Sequence, residues 1–144
     1  VYQGAKAVIA TWLDVEFDKI GIVNTRLVIQ EHEILSRSKL LNRTKVYLAG
    51  SIATQMHYNE QFTNASADIM LAKELVRKVI YEYAMSDNFV VTQFQEEELL
   101  KESVSELKAL LKTLEKAVTE VSAYLLIHEN ITNDECKEIL RNIF

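Results

Sequence analysis

The spacing of apolar residues is helical over the first half of the chain, apart from one short segment. It predicts a helix over Tyr2–Leu13 and a second helix that begins after a cap at Ser36 and ends near Tyr58. The buried side of the second helix should hold Leu40, Leu41, Val46, Leu48, Ile52 and Met56. A third helix is predicted from a cap at Asn64 or Ser66 to about Ala84, followed by a turn over residues 86–88.

The second half of the chain carries the longest periodic pattern. One continuous helix is predicted from Gln95 to His128, because apolar residues alternate spacings of four and three along it. This seam comprises Leu100, Val104, Leu107, Leu111, Leu114, Val118, Val121 and Leu125. Further apolar positions widen the stripe, so we expect it to face a core, although it also offers a surface for a partner. The run Thr132–Glu135 predicts a capping box that opens a terminal helix ending at Ile143.

The exception to this helical pattern lies near the front of the chain. β-branched residues in Phe17–Val23 and Leu27–Gln30 flank turn-forming residues, which predicts at most a short β pair near residues 17–30. The chain has no proline and only three glycines, so helix breakers are few. We therefore predict an all-α, mainly helical fold, with residues 1–144 forming a single domain.

Charge and composition narrow the classes of function. The formal net charge is −5, which disfavours binding to nucleic acid or to anionic lipid, since both need a basic surface. The single cysteine, Cys136, excludes an intrachain disulfide framework, and we expect a buried, inert thiol. The chain has no G-x-x-x-x-G-K-[ST] motif, so we expect no nucleotide-binding AAA module in it.

Three short runs resemble one known family. The run TNASADI at Thr63–Ile69 parallels a threonine-glycine-alanine-serine-asparagine-aspartate-leucine motif, and YEYAMS at Tyr81–Ser86 parallels threonine-glutamate-tyrosine-glycine-methionine-serine. LAGSIAT at Leu48–Thr54 keeps the glycine and second alanine of a third motif, but has serine and threonine where arginine and glutamate are usual. Together they resemble the peptidase domain of the FtsH-type AAA zinc metalloproteases.

The resemblance implies a set of zinc ligands that this chain does not complete. An aspartate of the family's third helix binds zinc, and Asp68 matches it, but the H-E-x-x-H motif that supplies two histidines and a catalytic glutamate occurs nowhere in the chain. An alignment without gaps places Tyr2 and Lys6 at the two histidine positions of that motif and Gln3 at its glutamate position. A protonated amine has no lone pair for a metal, and an amide cannot act as a base. We therefore expect no metal, no cofactor and no catalytic residue, with zinc bound only if unconventional ligands replace the histidines.

Two hypotheses concern Lys6 and Asp68. In one, Lys6 occupies the place of the lost metal and pairs with Asp68, because a buried carboxylate needs a cation. In the other, both side chains face solvent. The three histidines, His32, His57 and His128, are dispersed, and since no two of them have ligand spacing on a helix we expect surface roles rather than a metal site.

Three functions remain open on this reading. The first is an inactive FtsH-type metalloprotease-like domain kept as a binding or assembly module. The others are an ATP-dependent zinc metallopeptidase domain with unconventional ligands, and a helical adaptor whose long helix docks a partner. The family's ring assembly implies a second copy of the chain or an FtsH-type protease as partner. The resemblance also implies a cytoplasmic position, which a membrane tether upstream of the chain would place at the inner face of the membrane.

Overall fold

The computed structural model describes residues 1–21, 25–27, 36–61, 63–82 and 93–144. Six α-helices occupy most of these ranges: α1 Tyr2–Trp12, α2 Arg37–Tyr58, α3 Ser66–Arg77, α4 Gln93–Thr113, α5 Glu115–His128 and α6 Asn133–Ile143. A 3₁₀ turn, Thr63–Ala65, precedes α3, and a π-helical turn, Lys78–Glu82, follows it. The predicted mainly helical fold is confirmed.

The β structure is a small antiparallel sheet. Strands β1 (Phe17–Gly21) and β2 (Thr25–Leu27) form the predicted pair, and β3 (Asn130–Thr132) lies on the other side of β1. Ile20 of β1 is opposite Ile131 of β3, and both side chains are buried. The sheet therefore joins the front of the chain to the connection between α5 and α6.

Helix α1 lies at the centre of the core. Seven consecutive residues, Gly4 to Ala10, are buried, as expected for a helix enclosed on all sides. It packs against α2, α5 and α6. Lys6 is the one charged residue within this buried run. Its ammonium therefore needs a partner inside the protein.

Two predicted caps are present and one is not. Ser36 caps α2, its Oγ accepting a hydrogen bond from the Lys39 amide at 3.2 Å, and Thr132 with Glu135 forms the predicted capping box of α6. At α3 the residue in the cap position is Ala65, which has no capping side chain, so Ser66 is the first helical residue rather than the cap. The 3₁₀ turn leads directly into α3 and leaves no extended residue there. The side chain of Asn64, the predicted end near Ala84 and the turn at 86–88 lie outside the described residues.

The predicted continuous helix from Gln95 to His128 is wrong in one respect, because it is divided at Leu114. Leu114 has φ −99° and ψ 15°, outside the helical region, and its side chain is fully buried. Helix α4 packs on α2 and α3, whereas α5 packs on α1 and α6, so the bend lets each half follow its own neighbours.

The apolar seam belongs to the chain's own core. From Leu107 to Leu125 every seam residue is buried, and Leu100 and Val104 pack partly against the same cluster. The expectation of a core-facing stripe is confirmed, whereas the seam is not a free surface for a partner. Within the described ranges, we find no helix with the length and apolar character needed to cross a bilayer.

Candidate functional site

The N-terminal two turns of α1 and the first turn of α3 meet at one carboxylate oxygen. Lys6 Nζ lies 2.8 Å from Asp68 Oδ2, and the Tyr2 hydroxyl donates a hydrogen bond of 2.6 Å to the same oxygen. Tyr2 and Lys6 are four residues apart, so a single helical face presents both. Asp68 lies in the first turn of α3, where the helix dipole also favours a negative charge.

Burial makes this cluster different from a surface ion pair. The Lys6 side chain is 3% exposed and that of Asp68 is 18% exposed, so the two charges face each other in a largely dry environment. The Lys6 ammonium also lies 5.7 Å from the centre of the Tyr2 ring, within the range of a cation–π contact. Of the two hypotheses from the sequence, the paired arrangement is the one observed.

Tyr2 acts as a proton donor in this arrangement. Burial, and then the hydrogen bond and negative charge of Asp68, raise the pKa of the Tyr2 phenol above its ordinary value. The phenol therefore stays protonated at neutral pH. Burial likewise raises the pKa of Tyr47 on α2, with an opposing effect of Arg43 and a reinforcing one of Asp68. No local sequence pattern points to Tyr47, because only the fold brings it near Asp68.

Two glycines allow the helices to approach α1 closely. A β-carbon at Gly50 of α2 would lie 2.8 Å from three atoms of the Tyr2 ring. A β-carbon at Gly4 would lie 2.2 Å from Ser122 Oγ of α5. Gly50 was matched above to the family's motif, and its contact here is with the ring that holds Asp68.

The donor set of the cluster does not fit zinc. Zinc is bound by imidazole nitrogen, thiolate or carboxylate, each giving an electron pair. Asp68 provides the cluster's one such group, because Lys6 offers an ammonium and Tyr2 a protonated phenol. Gln3, half-buried on the same helix, has only an amide. Across the part of the chain that the structure describes, no three His, Cys, Asp or Glu side chains are grouped closely enough to hold a metal ion.

The other candidate side chains lie apart from the cluster. His57 lies at the end of α2 against the edge of Tyr58, and His128 lies in the last turn of α5 against the ring of Tyr124. His32 lies outside the described residues. Cys136 is fully buried, its thiol donates to the Ala7 carbonyl at 3.5 Å, and burial raises its pKa to about 11. The predicted burial of Cys136 is confirmed, and a raised pKa disfavours the reactive thiolate form.

The chain has measurable similarity to known proteins. Residues 23–99 match the model of peptidase family M41. An ATP-dependent zinc metalloprotease, FTSH 9, chloroplastic/mitochondrial, from Oryza sativa subsp. japonica is 28% identical over 137 residues, covering 84% of this chain and 17% of that protein. The ATP-dependent zinc metalloprotease FtsH of Thermus thermophilus is 27% identical over 134 residues, covering 75% of this chain and 22% of that protein.

A third relative, the ATP-dependent zinc metalloprotease FtsH of Ralstonia pickettii, is 32% identical over 66 residues, covering 46% of this chain and 9% of that protein. The chain thus spans less than a quarter of the length of these relatives. The family match covers more than half of the 144 residues and includes Asp68, whereas Tyr2 and Lys6 precede it. On this match, the chain belongs to peptidase family M41.

Proposed function

We propose that this chain is an M41 peptidase-like domain that does not hydrolyse peptides and serves as a binding or assembly module. The observation that carries the proposal is the ion pair between the Lys6 ammonium and Asp68, in which Nζ lies 2.8 Å from Oδ2. A cation of the protein itself thereby neutralises the carboxylate that the family resemblance assigns to zinc.

The convergence of three positions supports the comparison that places H-E-x-x-H on residues 2 to 6. Three ligands of one metal ion must meet at a point, with two of them one helical turn apart. Tyr2 and Lys6 have that spacing and both reach the same oxygen of Asp68. The three side chains therefore come together as a metal's ligands would, but two of them carry protons where a metal needs electron pairs.

Hydrolysis would also need a base that this arrangement lacks. In a zinc peptidase a glutamate removes a proton from the metal-bound water. The corresponding position here is Gln3, whose amide cannot accept that proton at neutral pH. Loss of the two metal donors and of the base together supports an inactive domain more strongly than either loss alone.

The partner we propose is a second copy of this chain or an FtsH-type protease. The relatives are named ATP-dependent zinc metalloproteases, and each is more than four times as long as its matched segment. An inactive domain of the same family could occupy a position in an assembly of active ones, because the shape needed for packing does not depend on the metal ligands.

The test is the zinc content and the peptidase activity of the purified chain. We expect no stoichiometric zinc after dialysis against zinc-containing buffer, and no cleavage of unfolded casein. The alternative, a metallopeptidase with unconventional ligands, predicts one zinc per chain and casein cleavage that Asp68→Ala abolishes. That result would replace the inactive domain by an enzyme.

A further inference from the structure

A second, smaller apolar cluster lies apart from the main core. We call it the distal cluster, and its buried members come from α2, α3, the π-helical turn and α4: Leu40, Val76, Val79, Ile80 and Leu99. Among the described residues, the side chain of Leu100 is the one that packs against both clusters. Helices α2, α3 and α4 therefore each run from one apolar cluster into the other.

The buried stripe predicted for α2 is divided between the two clusters. Leu40 and Leu41 pack in the distal cluster, whereas Val46 and Ile52 belong to the main core. Met56, predicted to be buried with them, is 41% exposed at the end of the helix. A stripe that is continuous in the sequence thus serves two separate clusters in the fold.

Two small polar side chains lie between the clusters. Thr44 follows Leu40 by one helical turn on α2, and Ser103 follows Leu99 by one turn on α4. Both helices run from the distal cluster into the main core, so the two polar residues occupy the same level, and both are buried. The Thr44 hydroxyl donates a hydrogen bond of 3.1 Å to the Leu40 carbonyl of its own helix, so it does not bond α2 to a neighbour. The apolar packing is interrupted at this level.

Ion pairs between helices lie on both sides of this polar level. Arg77 Nε lies 2.8 Å from Glu96 Oε1 and joins the end of α3 to the start of α4 on the distal side. Lys45 pairs with Glu106 on the side of the main core. The Arg77 side chain is 65% exposed, and an ion pair so open to solvent contributes little to stability. The distal side is therefore held together mainly by its small apolar cluster.

From this division we infer that the distal ends of α2, α3 and α4 open together as one unit while the main core stays folded. Proteins open in contiguous cooperative units, and a unit with few buried apolar contacts opens most readily. The unit comprises the start of α2, the end of α3 with the π-helical turn, and the start of α4. π-Helical turns are rare and occur frequently at functional sites, and this one carries Val79 and Ile80 into the cluster.

Opening of this unit leaves the Lys6–Asp68 pair closed. Asp68 lies about two turns before Val76 on α3, and the intervening Ile69 and Ala72 pack in the main core. The open form therefore exposes the apolar faces of three helix ends in a chain that is otherwise folded. This conformational device is independent of whether the domain hydrolyses peptides.

Native-state hydrogen exchange, followed by NMR without denaturant, measures this opening. We expect the amides at 40–42, 76–80 and 98–100 to report one common opening equilibrium. They should exchange at least about 100-fold faster than the amides of Val8, Ile9 and Ala10 in α1, after correction for intrinsic rates.

A matched pair of variants tests whether the opening is separate. Ile131→Val removes one carbon from the main core and Ile80→Val removes one from the distal cluster, and both side chains are buried. Ile131→Val should speed exchange in α1 by about 2–10-fold and leave the distal amides unchanged, because the main core stays folded when the unit opens. Ile80→Val should speed both sets by the same factor, because it destabilises the native state relative to every form in which the unit is open.

Three results would overturn the inference. The first is that the distal amides exchange as slowly as those of α1. The second is that Ile131→Val speeds both sets equally. The third is that the effect of Ile80→Val stays within α3 and does not reach the amides at 40–42 and 98–100. None of these results bears on the zinc and casein measurements, so this inference and the proposed function fail independently.

Discussion

Removal of the Lys6 charge should destabilise the fold far more than removal of an exposed lysine. Lys6→Met keeps a long, flexible side chain of similar length but leaves the carboxylate of Asp68 with the hydrogen bond from the Tyr2 hydroxyl and without its counter-charge. Lys101→Met is the matched control, because Lys101 is exposed on α4 and the two residue types have similar helix propensity.

The size of the effect follows from the burial of the two charges. Breaking a fully buried ion pair by removing one partner costs about 3–5 kcal/mol. The Asp68 side chain is 18% exposed and can regain some water, so we expect about 3 kcal/mol for Lys6→Met. Asp68→Asn should cost about 4 kcal/mol, because it leaves the more deeply buried ammonium without a counter-charge. For a chain of this size, 3 kcal/mol lowers the Tm by roughly 10 °C.

Thermal and urea unfolding of the single and double variants provide the assay. Each single change leaves an unpaired charge, whereas the double variant, Lys6→Met with Asp68→Asn, leaves none. The double variant should therefore lose about 2 kcal/mol less free energy of unfolding than the two single variants lose in sum. The reasoning is refuted if Lys6→Met melts within about 2 °C of wild type, as Lys101→Met should. Strict additivity in the double variant would equally show that the two charges do not interact.

Three further predictions concern the surroundings of the cluster and the last helix. Gly50→Ala should destabilise by about 1–3 kcal/mol in urea unfolding, because its β-carbon would lie 2.8 Å from the Tyr2 ring; a stabilised variant, the usual result of this change in a helix, would contradict that contact. Hydrogen bonds, first from Tyr124 and then from Thr132, hold the pKa of Glu135 below its ordinary value of 4.5. The Glu135 carboxylate therefore contributes fully to the stability of the fold above pH 4.5, and this contribution is lost as the pH falls through the lowered pKa. Glu135→Gln should therefore have a lower Tm than wild type at neutral pH, and its Tm should fall less on acidification. Parallel plots of Tm against pH for the two proteins would contradict this. Cys136 should resist a thiol-reactive dye until the chain is unfolded, since burial raises its pKa to about 11; rapid labelling of the native protein would be inconsistent with that burial.

The elements that depend on local sequence were predictable. The Ser36 cap, the Thr132–Glu135 capping box and the helical periods are set by side chains within a few residues of one another. The pairing of Lys6 with Asp68 was one of two hypotheses from the sequence: the resemblance brought the two distant segments together, but only the fold shows that both side chains are buried rather than facing solvent.

Features that depend on several neighbours at once were not predictable. The seam continues through Leu114 without a fault in spacing, yet the helix bends there because its halves pack on different helices. Strand β3 has only three residues, and it forms because its backbone pairs with the free edge of β1. Met56 fits the buried stripe of α2 by spacing, but whether a helix is covered at its end depends on what else reaches that place.

The central claim is that an ammonium takes the place of the metal, and zinc titration of a chain with histidines restored tests it most directly. Tyr2→His with Lys6→His would present two imidazoles and Asp68 at the three convergent positions. We expect this variant to bind one zinc per chain, and its Tm to rise by roughly 10 °C when free zinc is 100-fold above Kd. Wild type should show neither effect, and adding Asp68→Ala to the variant should abolish both. The account would be contradicted if the wild-type chain bound stoichiometric zinc, or if the histidine variant folded but did not bind zinc.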